Sequence, residues 1–201
     1  MSSVDDQTYG DPATRERILR ATWELVAERG DVPVGEVARH AGVSRQTVYL
    51  HFRDRGGLLL ALVVHMDEAL GLGESLAHVF AAPTAEEALA RAVAVHSTFN
   101  PGIDAVAQVL EGASPADEPL ATAWRDRMAF RRQVHRDIVQ RLADEGRLAE
   151  GWTVDAAADL FHTVTLPASW RELTREWGWS ADDYVEEMTR LLRRALVADA
   201  D

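Results

Sequence analysis

The chain has 201 residues, a formal net charge of −12 and no cysteine, so it is long enough for one or two compact domains and excludes disulfides and thiolate metal sites. Its start, Met1-Ser2-Ser3-Val4-Asp5-Asp6, is polar and acidic where a signal peptide is basic and then apolar, and no run approaches about 20 uninterrupted apolar residues; the expectation is a cytoplasmic protein with no membrane partner. The charge is uneven. Pro12 to Arg55 holds eight arginines against six acids, a net of +2, whereas Gly56 onward holds 13 arginines against 24 acids, a net of −11. A mildly basic segment on an acidic body can approach a polyanion only with that segment in front.

In chain order, residues 1–12 read as a disordered tip, and Asp5, Asp6 and Asp11 argue against a minor-groove arm. A first helix is expected over Ala13 to Arg29, with Ile18, Leu19, Thr22, Leu25 and Val26 inward and Gly30 ending it. Then come two short helices joined by glycine. In the first, Val34, Val37, Ala38 and Ala41 share one face, and Ala38 is small enough for a close crossing. Gly42 supplies a positive φ, Val43 plugs the angle, and Ser44 caps the second helix. That helix presents Arg45, Gln46 and Thr47 in its first turn while Val48 and Phe52 turn inward. This is the pattern of a helix-turn-helix, whose second helix reads base edges from its N-terminal residues, with Tyr49, His51, Arg53 and Arg55 suited to phosphate oxygens.

Residues 13 to 60 resemble the DNA-binding domain of the TetR family of bacterial one-component regulators. The resemblance rests on Val37-Ala38, on Ala41-Gly42-Val43-Ser44, on Tyr49, His51 and Phe52, and on Arg55 three residues after the phenylalanine. It implies that Arg45, Gln46 and Thr47 face bases, that Tyr49 and His51 touch the DNA backbone, and that Arg55 opens the fourth helix against a phosphate. Two positions depart from the pattern: Val32-Pro33 replaces the usual Thr or Ser cap, and Gly56-Gly57 stand where a charged residue and alanine are common. Those glycines are expected to form a soft joint, so that alanine at both should stabilise the fold.

The domains are accordingly 1–12 (tip), 13–58 (helix-turn-helix) and 59–201 (helical body). A helix from about Arg55 to Phe80 should weaken near Gly71 and Gly73. Thr84 and Glu87 form a capping box for a helix to Asn100, Pro101-Gly102 breaks the chain, and a short helix runs to about Gly112. After a loop over 113–119, a helix of about seven turns should reach Glu145. Asp155 to Thr165 is helical, Pro167 kinks or breaks it, Gly178 ends the next segment, and Ser180 caps a final helix to about Ala198. No segment alternates with period two for long, so the fold is expected to be all-α: a three-helix N-terminal domain plus a C-terminal helical domain.

No catalytic motif is present: there is no Gly-x-Ser-x-Gly elbow, phosphate-cradling glycine loop or His-Glu-x-x-His. His65, His96, His135 and His162 fall on four different helices without metal-ligand spacing, so neither metal, cofactor nor enzyme activity is expected. Arg131-Arg132 and Arg193-Arg194 read as solvated faces. His96, Phe99, Trp124, Met128, His135, Phe161, His162 and Trp170 suit an apolar cavity with a few orienting donors, although such aromatics also suit plain core. The resemblance implies a small, largely apolar effector there, whose binding moves the fourth helix so that two readers no longer fit a palindromic operator. In the last helix, Tyr184, Met188, Leu191, Leu192 and Ala195 form a stripe that packs either within the chain or, as the resemblance implies, against a second copy in a homodimer. The expected function is thus a ligand-released repressor. The alternatives are a helical enzyme or carrier with a vestigial DNA-binding domain, against which Arg45, Tyr49, His51 and Arg55 argue, and an architectural DNA binder, against which the acidic charge argues.

Overall fold

The computed structural model describes residues 11–112 and 118–199; residues 1–10 of the expected tip and 113–117 of the expected loop lie outside the described residues. Among these there is no strand, only one antiparallel bridge between Leu148 and Val197. The chain is all-α, with an N-terminal helix-turn-helix domain and a C-terminal helical domain. No single helix is long and apolar enough to cross a membrane.

Helix α1 (Pro12–Arg29) starts on Asp11, whose carboxylate accepts from the amides of Ala13 and Thr14, and stops at Gly30 with φ 74°. Its buried residues include the whole expected stripe, Ile18, Leu19, Thr22, Leu25 and Val26. Helix α2 (Val34–His40) begins after Pro33 with no side-chain cap. Gly42, at φ 67°, turns the chain into α3 (Arg45–Phe52), and α2 packs on both α1 and α3. Contacts divide the described residues into two compact units: one reaches Met66 and takes in Ala105 to Ala123, and the other comprises Asp67–Asp104 and the chain from Trp124 onward. The first unit therefore runs beyond residue 58, because α4 (Arg55–Ala69) buries Leu58, Leu59, Leu62 and Met66 along one face.

Two helical boundaries differ from expectation. The Arg55–Phe80 helix is two, α4 and α5 (Leu72–Phe80), because Gly71 adopts the left-handed conformation at φ 66° and ends the hydrogen-bond ladder. Conversely, α6 (Ala85–Glu111) passes straight through Pro101. Proline removes one amide donor and crowds the preceding turn, but the helix is held on both sides by buried residues: Val93, Phe99 and Asn100 before it, Val106 and Leu110 after. At its start the Thr84 hydroxyl accepts from the Glu87 amide at 3.2 Å, while the Glu87 carboxylate is engaged by Arg91 at 2.5 Å. Pro167 breaks the helix as expected and opens a new one. The chain continues as α7 (Glu118–Asp144), α8 (Val154–Val164), α9 (Pro167–Arg171), a π-helical turn over Glu172–Glu176, and α10 (Ala181–Leu196), which Ser180 and Asp183 start with a reciprocal capping box.

The stripe on α10 is corrected. Tyr184, Leu192 and Leu196 are fully buried and Met188 nearly so, in one core cluster with Leu89, Val93, Ile138, Leu142 and Phe161. The apolar moment of the helix is satisfied within its own chain, so Tyr184, Met188 and Leu192 are not surface that a second copy could cover. Leu191, 45 % exposed, and half-buried Ala195 remain on the outer side.

Candidate nucleic-acid interface and body cavity

The first site is built on α3. Ser44 Oγ accepts the Thr47 amide at 3.0 Å and lies 2.8 Å from the Thr47 hydroxyl, so Thr47 is tied to the cap while Arg45 and Gln46 stay exposed. Tyr49 is 47 % exposed, and His51 is half-buried with its ring 5.9 Å from Phe52. Arg45 folds back over Gly35 of α2, where a Cβ would meet its Nη2 at 2.3 Å. The missing side chain of Gly35 is what leaves that resting place open. Arg55 is ion-paired to Asp31.

The joint between α3 and α4 is tight rather than soft. Arg53 has φ 66° and ψ −53°, and the Asp54 amide donates to the Phe52 carbonyl at 2.7 Å, a γ-turn of the strained kind. Asp54 Oδ1 then accepts the Gly57 amide at 2.7 Å. A Cβ on Gly57 would lie 2.1 Å from the Phe52 carbonyl oxygen. Gly57 is therefore required by a close backbone approach, and alanine there would push the turn apart instead of stabilising it.

The second site is a cavity in the body. It encloses about 520 Å³ of empty space, part of it open to solvent. Of the expected residues, His96, Phe99, Trp124, Met128 and His135 line it. Phe161, His162 and Trp170 do not: Phe161 is fully buried behind His135, stacked on its ring at 4.2 Å, His162 tilts against the same ring at 5.8 Å, and Trp170 belongs to the core cluster.

Arg127 and Arg131 also line the cavity, and Arg131 is the residue sequence reasoning placed on a solvated face. The signal was there: 124, 127, 128, 131 and 135 follow helical spacing, one face of α7. Arg127 is neutralised by Asp67, which it engages through both terminal nitrogens at 2.5 and 2.6 Å. Arg131 donates to the Thr165 carbonyl, and its Nε–H has no partner. Burial draws its pKa down to about 10, so it remains a cation at neutral pH. Arg132, by contrast, does lie at the surface edge, paired with Asp159 and Asp155.

His96 and His135 meet Nε2 to Nε2 at 2.9 Å, so one ring nitrogen carries the proton and the other the lone pair. Burial, and then the charge of Arg131, holds both well below the ordinary histidine range and keeps them neutral. His135 Nδ1 is buried without a partner, as are the Tyr184 hydroxyl and both amide atoms of Asn100. Burial raises Tyr184 to about 12 against the pull of Arg131, so it stays a phenol. Among the described residues no group of three or more His, Asp or Glu is placed to hold a metal ion.

Comparison with known proteins finds a family match for the N-terminal residues and a shared fold for most of the chain. The family model of bacterial regulatory proteins of the tetR family matches residues 18–62. The HTH-type transcriptional regulator BetI of Serratia proteamaculans (strain 568) is 37 % identical over 67 residues, 30 % of this chain and 34 % of BetI. The chain thus spans about a third of the length of that curated relative. Two solved structures share the fold. A transcriptional regulator from Saccharomonospora viridis, in complex with choline, aligns with a TM-score of 0.77 at 19 % identity over 94 % of this chain and 100 % of that one. The regulator FadR of Bacillus subtilis, in complex with stearoyl-CoA, aligns with a TM-score of 0.74 at 20 % identity over 90 % and 98 %. The N-terminal residues 18–62 thus match the model of bacterial regulatory proteins of the tetR family, and nearly the whole chain shares its fold with the two solved regulators.

Proposed function

We propose that the chain is a cytoplasmic, homodimeric transcriptional repressor that binds an inverted-repeat operator in double-stranded DNA and is released by a small molecule entering the body cavity. The observation that carries this reading is α3, which Ser44 caps so that Arg45, Gln46 and Tyr49 stand outward while Val48 and Phe52 hold the helix from behind. Arg45, Gln46 and Thr47 would face bases, and Ser44, Tyr49, His51 and Arg55 the phosphate backbone, with half-site centres about one helical turn, ~34 Å, or a multiple apart. The choline and stearoyl-CoA complexes of structural relatives support a small-molecule effector. Leu191 and Ala195 are the part of the α10 stripe left for a second copy.

Release would act through Asp67. Arg55 opens α4 and Asp67 lies near its end, held by Arg127 of the cavity wall, so a ligand that displaces Arg127 frees the helix that carries Arg55. Such a ligand must prefer the non-binding arrangement by its own contact energy.

Selection of duplexes from a random pool, followed by fluorescence anisotropy, tests the reading. One inverted repeat should be enriched. Arg45→Ala should cost about 1–3 kcal/mol on that operator and little on random DNA, whereas Arg55→Ala should weaken both alike. Absence of enrichment alongside ligand binding would favour a carrier with a vestigial reader.

A further inference from the structure

Among the described residues, the cavity holds a cation that no carboxylate balances. Its lining contains Arg127, Arg131, His96 and His135 and no carboxylate, although the chain from Gly56 onward carries 24 acids. Asp67 neutralises Arg127. Among the described residues no acid acts on Arg131, whose charge meets the Thr165 carbonyl, the imidazoles of His96, His135 and His162, the Tyr184 phenol and the like charge of Arg127. A buried guanidinium without a counterion is a costly arrangement, and a ligand that brings the counterion recovers that cost on binding. The other unspent polar atoms fit the same role: with His96 donating across the pair, His135 Nδ1 carries a free N–H.

We infer that the ligand of this cavity is an apolar molecule ending in a carboxylate, with Arg131 as the anchor of the carboxylate and His135 as a second donor. A guanidinium fork matches a planar carboxylate in shape as well as charge. Arg131 and His135 stand on one part of the lining, while Leu72, Leu76 and the half-exposed Phe130 offer apolar wall to the rest of the molecule. A cationic head group would face Arg131 directly and is excluded by the same charge. This inference rests on the effector reading of the cavity and narrows it from a largely apolar ligand to an amphipathic anion.

The test uses the full chain at a pH above 7 with three probes of equal chain length, octanoate, octanol and octyltrimethylammonium, followed by calorimetric titration and operator anisotropy in parallel. Octanoate should bind at least about ten-fold more tightly than the other two. Arg131→Met should remove that advantage and leave octanol binding unchanged, while the melting temperature of the ligand-free protein holds or rises because an unpaired buried charge is gone. Arg131→Gln, which keeps a donor for Thr165, serves the same comparison if the Met variant does not fold. Equal or tighter binding of octanol or the ammonium probe, unchanged octanoate affinity in Arg131→Met, or no binding of any probe would overturn the inference. If octanol or the ammonium probe releases the operator and octanoate does not, the carboxylate site fails and the effector reading stands. If octanoate binds through Arg131 without changing operator affinity, the reverse holds.

Discussion

The reader and the body cavity use the same residue types in opposite ways. On α3 the polar groups lie within a dozen residues of one another, stand at the surface, and are held by local bonds such as Ser44 to Thr47. In the body, His96, Arg131, His135 and Tyr184 come from three helices, are buried or, for Arg131, half-buried, and leave several donors unspent. Surface polar groups cost little to hold in readiness because water solvates them between encounters. Buried ones are costly to leave unmade, so their presence points to a partner that arrives later.

The largest expected effect concerns where the body keeps its apolar stripe. Leu192→Arg places a charge at a fully buried position and should cost several kcal/mol, unfolding the chain by denaturant titration, whereas Leu191→Arg should leave each chain folded and weaken only its pairing with a second copy. A folded, monomeric Leu192→Arg protein would return that residue to a subunit interface. Next is the tight joint beside the reader. Gly57→Ala forces a Cβ against the Phe52 carbonyl and should destabilise by about 1–3 kcal/mol, read as a lower denaturation midpoint with operator binding lost in proportion. A stabilised Gly57→Ala variant would revive a soft hinge.

A smaller effect separates the two regions by pH. His96 and His135 are held below their unfolded value in the fold, so the unfolded chain binds more protons as pH falls below about 6.5, and stability present above that pH is lost on acidification. Each contributes up to about 1.4 kcal/mol per pH unit in that window. Chemical denaturation of His135→Phe between pH 7.5 and 5.5, about two units, should show a shallower loss than the parent; an identical slope would mean that the pair is not the sensor. Smallest of all, Arg53→Gly relieves a positive φ and should gain on the order of 1 kcal/mol of stability while weakening DNA binding through loss of the guanidinium, which melting curves and anisotropy would read separately.

The sequence by itself determined the all-α class, the helix-turn-helix with its Ser44 cap and Gly42 turn, the buried stripe of α1, the capping box of α10 and the placement of Arg45 and Gln46 on an exposed first turn. These are set by contacts within one or two helical turns, and local propensity and spacing record them directly. Tertiary structure decided what local spacing does not contain. Pro101 stays inside a helix because packing on both sides outweighs one lost hydrogen bond, and the α10 stripe turns inward because its own chain supplies the covering helices. Gly57 is needed for a carbonyl five residues back that comes near only through the γ-turn at Arg53. Arg131, read from its neighbour Arg132 as a solvated charge, becomes the cation of the cavity because α6 and α7 close around it, and burial acts on a charge only once separate helices have been brought together.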